Sequence, residues 1–290
     1  MIWSSRLREY ALLMRLHRPI GILLLLWPTL WALWIAGEGQ PDRLVFTVFV
    51  LGVVLMRSAG CVMNDYADRE FDPHVERTRD RPIAAGRVSP KEALVLFAAL
   101  CLIAFALVLT MNRLTIALSF AGAFLAATYP FMKRFTNLPQ FYLGAAFGWS
   151  IPMAFAAQTG VVPQLAWVLF AANVFWSVAY DTAYAMVDRE DDLKVGVKST
   201  AILFGTYDRL MVGLSHAVTL GLLAYIGFIA GLGMLYYAGL AAAAGFALYQ
   251  QYLMRDRARD GCFRAFLNNN WFGAAVFVGL MLHYWLETME

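Results

Sequence analysis

Polar side chains recur at steps of four residues directly after an apolar run. They are Asn64, Asp68 and Asp72, and the run before them includes residues 53–56. On an α-helix a step of four residues overshoots one turn by roughly 40°, so the three side chains share one face. Carboxylates at the end of a membrane helix are costly unless cations compensate them. This set, the first acidic ladder, therefore predicts a cation-binding site.

A second set of polar residues follows more than a hundred positions later, again mostly at helical spacing. The second acidic ladder consists of Asp181, Tyr184, Asp188 and Asp192. Asp181 and Tyr184 lie inside an otherwise apolar run, where a lone carboxylate in lipid is expensive. Such residues usually face a polar interior, so we expect the fold to bring the two ladders together.

Cations accompany both ladders. Arg77, Arg79 and Arg81 follow the first one, and Lys194 and Lys198 follow the second. Mg²⁺ takes oxygen ligands and commonly joins one or two carboxylates to phosphate oxygens, while the arginine fork matches phosphate geometry. The pattern favours a magnesium–diphosphate site, and a solvated loop with ordinary topology-setting arginines is the alternative.

Three further cations have two interpretations each. Lys133 and Arg134 lie between the ladders in the sequence and either anchor the membrane face or grip the diphosphate, with Arg134 favoured for its fork. Arg57 lies seven residues before Asn64, hence about two turns deeper on the same face. It either pairs with a nearby aspartate or receives the carboxylate of a small acidic substrate.

The composition identifies the protein class that must position these residues. Charged residues make up 15% of the chain and hydrophobic residues 61%, with a mean hydropathy of +0.60. Soluble domains carry about 25% charged residues. We therefore predict an all-α, polytopic transmembrane bundle that forms a single integral-membrane domain over residues 1–290. Nine apolar stretches of suitable length lie at about 19–36, 44–63, 92–110, 113–130, 138–158, 163–187, 209–230, 234–254 and 268–287.

The distribution of basic residues orients this bundle. With nine spans, the N-terminus and four loops fall on one side and hold 20 of the 23 lysines and arginines. Basic loops are typically cytoplasmic. Both ladders follow spans that run in the same direction, the second and the sixth. We therefore expect both acidic loops and the N-terminus to be cytoplasmic.

Longer stretches around the ladders resemble a known family. Asn64-Asp-x-x-Asp68-x-x-x-Asp72 and Tyr184-x-x-x-Asp188-x-x-x-Asp192 look like the two aspartate-rich motifs of the UbiA superfamily of membrane prenyltransferases. Gly60-Cys-Val-Met-Asn-Asp-Tyr-Ala-Asp-Arg, Arg79-Asp-Arg-Pro82, Tyr129-Pro-Phe-Met-Lys-Arg134 and Lys198-Ser-Thr-Ala-Ile-Leu-Phe-Gly205 resemble its 4-hydroxybenzoate polyprenyltransferase branch. The similarity extends over essentially the whole chain.

The resemblance implies nine helices around a central cavity and a reaction in ubiquinone biosynthesis. A polyprenyl group passes from an all-trans polyprenyl diphosphate to 4-hydroxybenzoate, ortho to the phenol, in the bacterial inner membrane. The implied partners are these two substrates and membrane lipid, without nucleic acid, and the implied cofactor is Mg²⁺. The implied metal-binding residues are Asn64, Asp68, Asp72, Asp188 and Asp192. Arg134, Lys133, Arg77 and Lys198 would neutralise the leaving group, and Arg57 would face the benzoate carboxylate.

The sequence contains residues that meet the physical requirements of such a reaction. Diphosphate loss leaves an allylic cation that apolar walls must shield from water and that aromatic faces stabilise by roughly 0.5–2 kcal/mol each. Candidate aromatic residues are Tyr66, Phe147, Trp149, Tyr180 and Tyr184. The attacked ring then loses a proton, which either Asp181 or Asp188 would accept.

Alternative functions differ in what they predict. A sister enzyme with a naphthoate, homogentisate or haem acceptor would share both ladders, because the ladders bind the common diphosphate. An ion-coupled transporter would place polar or interrupted helices near mid-membrane, whereas the acidic residues here gather at one end. A phospholipid head-group transferase would carry a DGxxAR-type pattern, which the sequence lacks.

Overall fold

The computed structural model of the chain describes residues 2–74 and 78–287. Within those ranges the secondary structure is entirely helical, which confirms the predicted fold class. The helices are α1 (Ile2–Leu13), α2 (Ile20–Ala36), α3 (Arg43–Ala67), α4 (Pro90–Val108), α5 (Arg113–Thr128), α6 (Met132–Phe135), α7 (Pro139–Gly148), α8 (Ser150–Thr159), α9 (Gln164–Val195), α10 (Thr200–Phe204), α11 (Asp208–Ile229), α12 (Met234–Leu253) and α13 (Arg259–Glu287).

Each of the nine predicted apolar stretches falls on a helix, with two differences. The stretch at 138–158 forms two helices, α7 and α8, that meet at Trp149. The polar segment after residue 187 is not a loop at first, because α9 continues to Val195. By length and composition, five helical stretches in the described part of the chain are suited to cross a membrane, and α2 is a shorter apolar helix. The number nine thus stays a prediction.

Local sequence signals explain several helix ends. The Asp42 carboxylate accepts backbone N–H groups of Leu44 and Val45 and thereby caps α3. Ser89 and Glu92 form a reciprocal capping box at the start of α4. Gly196 ends α9 with a φ of 73°, a left-handed conformation that glycine adopts without steric cost.

Helix α13 packs against α12, α9 and α2, and three successive asparagines connect it to its neighbours. Asn268 accepts from Gln250 of α12 at 3.2 Å, and Asn270 accepts from the Trp27 indole of α2 at 3.0 Å. Asn269 accepts from the Trp176 indole of α9 at 2.9 Å and lies 3.3 Å from His216 Nε2 of α11. Consecutive helical residues point about 100° apart, so one short polar stretch fixes helices on several sides.

Candidate active site

The first acidic ladder lies where α3 ends. The prediction that its three side chains share one continuous helix is wrong in detail, because α3 stops at Ala67 and Asp68 is its C-cap. Asp72 begins a short 3₁₀ turn, yet its backbone N–H still donates to the Asp68 carbonyl at 2.8 Å. One further hydrogen-bonded turn therefore keeps the ladder on one side of the chain.

Asp68 is the most constrained member of this ladder. Its Oδ2 accepts from Lys133 Nζ at 2.5 Å and from Asn64 Nδ2 at 3.3 Å. Its Oδ1 is buried and has no hydrogen-bond partner among the described residues. An ionised carboxylate oxygen in that position is costly, so Asp68 retains capacity for a ligand.

A buried aspartate that sequence reasoning missed holds the first ladder in place. Asp65 is 1% exposed; its Oδ1 lies 2.5 Å from Arg15 and 3.2 Å from Arg81. Arg81 also reaches Asp72 Oδ2 at 2.9 Å. Burial raises the pKa of the Asp72 carboxyl, and the neighbouring Arg81 opposes that effect. The signal for Asp65 was its position next to Asn64, whereas nothing in the sequence indicated Arg15 as its partner.

The second acidic ladder lies on a single helix, as predicted. Asp181, Tyr184, Asp188 and Asp192 all belong to α9, and the Tyr184 ring packs against Phe266 with centroids 4.7 Å apart. The Asp192 carbonyl accepts the Val197 N–H at 3.0 Å, which closes the helix end beyond Gly196. The continuous helix therefore sets the spacing of these side chains.

Gln140, at the start of α7, connects this ladder to the segment beyond it. Its side chain lines the same cavity as the Asp181 carboxylate, and its Oε1 accepts the Thr200 backbone N–H at 3.1 Å. Gln140 is buried. Sequence reasoning missed this residue, because a single glutamine after a proline carries no motif.

The short helix α6 connects the two ladders. The Lys133 carbonyl accepts the Lys198 backbone N–H at 3.1 Å, while the Lys133 ammonium binds Asp68. Arg134 donates to the Ala67 carbonyl at 2.5 Å, and its guanidinium lies over the Phe71 ring. Lys133 thus points into the site, whereas Arg134 supports the end of α3.

Both ladders open into the same cavity, which has a volume of about 930 Å³. The predicted site residues among its lining are Arg57, Asn64, Asp68, Asp72, Lys133, Asp181, Tyr184, Asp188, Asp192 and Lys198. Arg134 is absent from the described lining, and Arg77 lies outside the described residues. The fold therefore brings together two acidic groups that are more than a hundred residues apart in sequence.

Arg57 lies deeper in this cavity than the ladders. Its NH1 donates to the Cys61 thiol at 2.7 Å, its Nε is buried without a hydrogen-bond partner, and no described carboxylate pairs with it. A methyl group added to Gly21 of α2 would overlap the guanidinium, so glycine makes room for it there. Of the two predicted roles, pairing with an aspartate is not seen among the described residues. The other role, binding the carboxylate of a small acidic substrate, stays a prediction.

A second, smaller cavity of about 190 Å³ adjoins the first one. Arg57, Tyr129 and Phe147 line both cavities. The smaller cavity extends among α3, α4, α5 and α8 past apolar residues such as Val53 and Phe105. It therefore provides an apolar extension of the polar site.

The aromatic candidates divide between these places. Phe147, Tyr180 and Tyr184 line the larger cavity, and Trp149 lines the smaller one. Tyr66 instead packs in a separate cluster near Leu13. Three of the five predicted aromatic residues therefore line the same cavity as the two ladders.

Comparison with known proteins identifies the family. A profile described as the UbiA prenyltransferase family matches residues 25–279. The chain is 69% identical to the 4-hydroxybenzoate octaprenyltransferase of Methylococcus capsulatus, with 97% of this chain and 96% of the relative covered. It is 68% identical to the enzyme of the same name from Nitrosococcus oceani, with 97% and 99% covered.

Solved structures of related proteins share the fold of this chain. A UbiA homologue from Aeropyrum pernix K1 superposes with a TM-score of 0.78 at 26% identity, covering 89% of this chain and 97% of that one. A UbiA homologue from Archaeoglobus fulgidus bound to GPP and Mg²⁺ shares the fold, with a TM-score of 0.71 at 17% identity over 94% of this chain and 99% of that one. The resemblance read from the two motifs is thus confirmed, and the chain belongs to the UbiA prenyltransferase family.

Proposed function

We propose that this chain transfers a polyprenyl group from a polyprenyl diphosphate to 4-hydroxybenzoate, as in ubiquinone biosynthesis. One observation carries this proposal: both acidic ladders line a single cavity with Arg57, which pairs with no carboxylate among the described residues. Relatives 58–69% identical over nearly the full length carry the name 4-hydroxybenzoate octaprenyltransferase. A donor of octaprenyl length is therefore the first one to test.

The ladder residues suit Mg²⁺. Within the described residues no group of three or more His, Cys, Asp or Glu side chains is arranged to hold a metal by itself. Mg²⁺ commonly uses only one or two carboxylates, with water and phosphate oxygens completing its coordination. Asp68 Oδ1, which has no hydrogen-bond partner among the described residues, fits that donor set. Asn64, Asp68 and Asp72 would hold the ion on one side of the cavity, and Asp188 and Asp192 on the other.

Bound Mg²⁺ would supply charge neutralisation for the departing diphosphate, which gains negative charge as the allylic C–O bond breaks. The protein's own cations add to this effect. Lys133 and Lys198 line the cavity beside the ladders, and we assign both to the diphosphate oxygens. Arg134 and Arg77 remain predicted contributors to the same task.

The acceptor would enter with its carboxylate at Arg57. Arg57 is half-buried and lines the cavity, and we assign the carboxylate of a planar aromatic acid to its guanidinium fork. The acceptor ring would then lie near Phe147, whose ring centroid is 6.0 Å from the guanidinium carbon. When the C–O bond breaks, the diphosphate takes the electron pair. The allylic carbon then bonds to the ring carbon ortho to the phenol.

The ring carbon must then lose its proton. Asp181 and Asp188 both line the cavity, and either carboxylate is suited to accept it. Gln140 lines the same cavity as these two carboxylates. The prenyl chain would occupy the apolar cavity that meets the polar one at Tyr129 and Phe147, where water is excluded from the allylic cation.

The chain is a multi-pass membrane protein, and we infer its orientation from its basic residues. The site lies at the same end as the predicted cytoplasmic loops, which hold most of the lysines and arginines. We place the N-terminus and both acidic segments on the cytoplasmic side of the bacterial inner membrane. We also infer that residues 1–290 form one domain.

The test is a membrane assay with radiolabelled 4-hydroxybenzoate and octaprenyl diphosphate. We expect transfer of label into a lipid-soluble product that requires Mg²⁺, stops with EDTA and is lost in Asp68→Asn and Asp188→Asn. Glu70→Gln serves as the control, because Glu70 is exposed beside the first ladder. Product formation without added divalent metal would contradict the magnesium role.

Arg57 provides the acceptor test. Arg57→Gln should raise the KM for 4-hydroxybenzoate by about 10–100-fold, the cost of about 1.5–3 kcal/mol for a lost hydrogen bond to a charged group. The KM for the prenyl diphosphate should stay within about twofold. Transfer to a homogentisate or a naphthoate but not to 4-hydroxybenzoate would overturn the acceptor while leaving the donor site intact.

A further inference from the structure

Asp208 is a fully buried carboxylate at the start of α11, outside the cavity described above. Its relative exposure is 0%, and two arginines from distant parts of the chain meet it. Arg189 binds its Oδ2, and Arg257 Nε lies 3.0 Å from Oδ1 and 3.2 Å from Oδ2. The Arg209 backbone N–H donates to Oδ1 at 2.6 Å. We call the side chains of Asp208, Arg189 and Arg257 the Asp208 clasp.

Arg189 connects the clasp to the second acidic ladder. It follows Asp188 directly in α9, so the two side chains leave the helix about 100° apart. Its guanidinium also donates to the carbonyls of Ala201 at 2.7 Å and Gly205 at 3.2 Å. The last turns of α9 are thereby fastened to α10 and to the start of α11.

Residues between α12 and α13, and the first residue of α13, contact the start of α11 and the end of α9 from another side. Arg257 has a φ of 52°, and its NH2 donates to the Thr206 carbonyl at 2.6 Å. Arg259 lies 2.8 Å from Glu190 and 3.4 Å from Asp191. Both of these ion pairs depend on the exposed Arg259 side chain and contribute little to stability. Removing a partner of the buried Asp208 costs far more.

The end of α9 needs such support because it concentrates like charges. Asp188, Glu190, Asp191 and Asp192 lie within five consecutive residues near the C-terminal end of α9, which is Val195. The helix dipole also disfavours negative charge in the last turn. We propose that Asp208 is a positioning residue: through Arg189 it fixes the rotation and height of the last turns of α9, so that Asp188 and Asp192 face the cavity. This inference rests on the proposed metal role of those two aspartates.

Thermal stabilisation of the detergent-purified protein tests this proposal without relying on turnover. Mg²⁺ is titrated at a fixed concentration of inorganic diphosphate, and the rise in Tm is recorded for the wild type and Asp208→Asn. We expect the half-saturating Mg²⁺ concentration to rise about tenfold in the variant, as for other residues that orient metal ligands. The Tm rise caused by 4-hydroxybenzoate should keep its half-saturation, since Arg57 lies on α3.

Asp256→Asn is the matched control, because Asp256 lies on the same face of the molecule but is exposed and pairs only with Arg255 among the described residues. Should Asp208→Asn fail to accumulate, Arg257→Gln removes one of the two arginines and should shift the Mg²⁺ titration in the same direction. A lower Tm with an unchanged Mg²⁺ half-saturation would show a merely structural role and overturn the proposal.

Asp188→Asn separates this proposal from the metal assignment. If Asp188→Asn raises the Mg²⁺ requirement and Asp208→Asn does not, the positioning role is wrong and the metal site stands. If neither variant changes the Mg²⁺ requirement, the metal assignment of α9 fails first, and the positioning role fails with it.

Discussion

Lys133 Nζ lies 2.5 Å from Oδ2 of Asp68, so that a lysine from the connection between α5 and α7 meets a carboxylate at the end of α3. The same lysine accepts the Lys198 N–H with its carbonyl oxygen. One residue thereby contacts the first ladder with its side chain and the segment after the second ladder with its backbone. The two acidic groups are coupled through this contact.

Replacement of Lys133 by methionine should weaken donor binding. The variant loses a cation beside the diphosphate and leaves Asp68 without its closest partner. We expect kcat/KM for the prenyl diphosphate to fall by about 10–100-fold, equivalent to about 1.4–2.7 kcal/mol. Steady-state kinetics with varied donor measure this effect. Lys133→Arg should recover part of the loss, and equal activity of the methionine variant and the wild type would refute the role.

Gly21→Ala should disturb the acceptor site without disturbing the fold. The three atoms nearest to the added methyl group all belong to the guanidinium of Arg57, the far end of a flexible side chain. We expect the KM for 4-hydroxybenzoate to rise by about tenfold, or about 1.4 kcal/mol, while the Tm changes little.

Gly245→Ala is the matched control for that substitution. Gly245 also lies within a helix, α12, and nothing lies within 4 Å of the position of an added methyl group. Its kinetics should match those of the wild type. Similar KM changes in both variants would mean that glycine substitution acts through the helices rather than through Arg57.

Asp65→Asn should loosen the first ladder. The substitution removes the charge that holds Arg15 and Arg81 together in a buried setting, and breaking such a group typically costs about 3–5 kcal/mol. We expect a lower Tm and a higher Mg²⁺ requirement, because Arg81 also positions Asp72. Thermal unfolding in detergent and Mg²⁺ titration of activity check both effects. A lower Tm with normal Mg²⁺ dependence would restrict Asp65 to stability.

Asn269→Leu should lower the free energy of unfolding, because Asn269 joins three helices at a buried position. It removes the acceptor for the Trp176 indole and the contact with His216, both of which are buried. Interhelical hydrogen bonds in membranes contribute about 0.6–1.7 kcal/mol each, so we expect a loss of about 1–3 kcal/mol in the free energy of unfolding. Asn268→Leu should cost less, since Asn268 is only half-buried and its side chain makes one hydrogen bond, to Gln250. Unfolding in detergent compares the two.

The sequence by itself determined the class of protein, the positions of the main apolar helices and the two acidic ladders. Hydropathy and charge bias are local or additive properties, so they can be evaluated from the sequence without knowing which residues are in contact. The four-residue spacing correctly placed Tyr184, Asp188 and Asp192 on one helix. It was less accurate for Asp68 and Asp72, because nothing local indicated that α3 ends at Ala67.

Only the tertiary structure decided which charges meet. Asp65 pairs with Arg15 across 50 positions, and Arg257 reaches Asp208 across 49. Neither pair has a spacing that a helix or turn would impose, so no periodicity reveals it. Arg57 pairs with no carboxylate in the described part of the chain, and this too depends on which helices surround it. Burial decides these roles, since a carboxylate or guanidinium removed from water must find its partners wherever the fold places them.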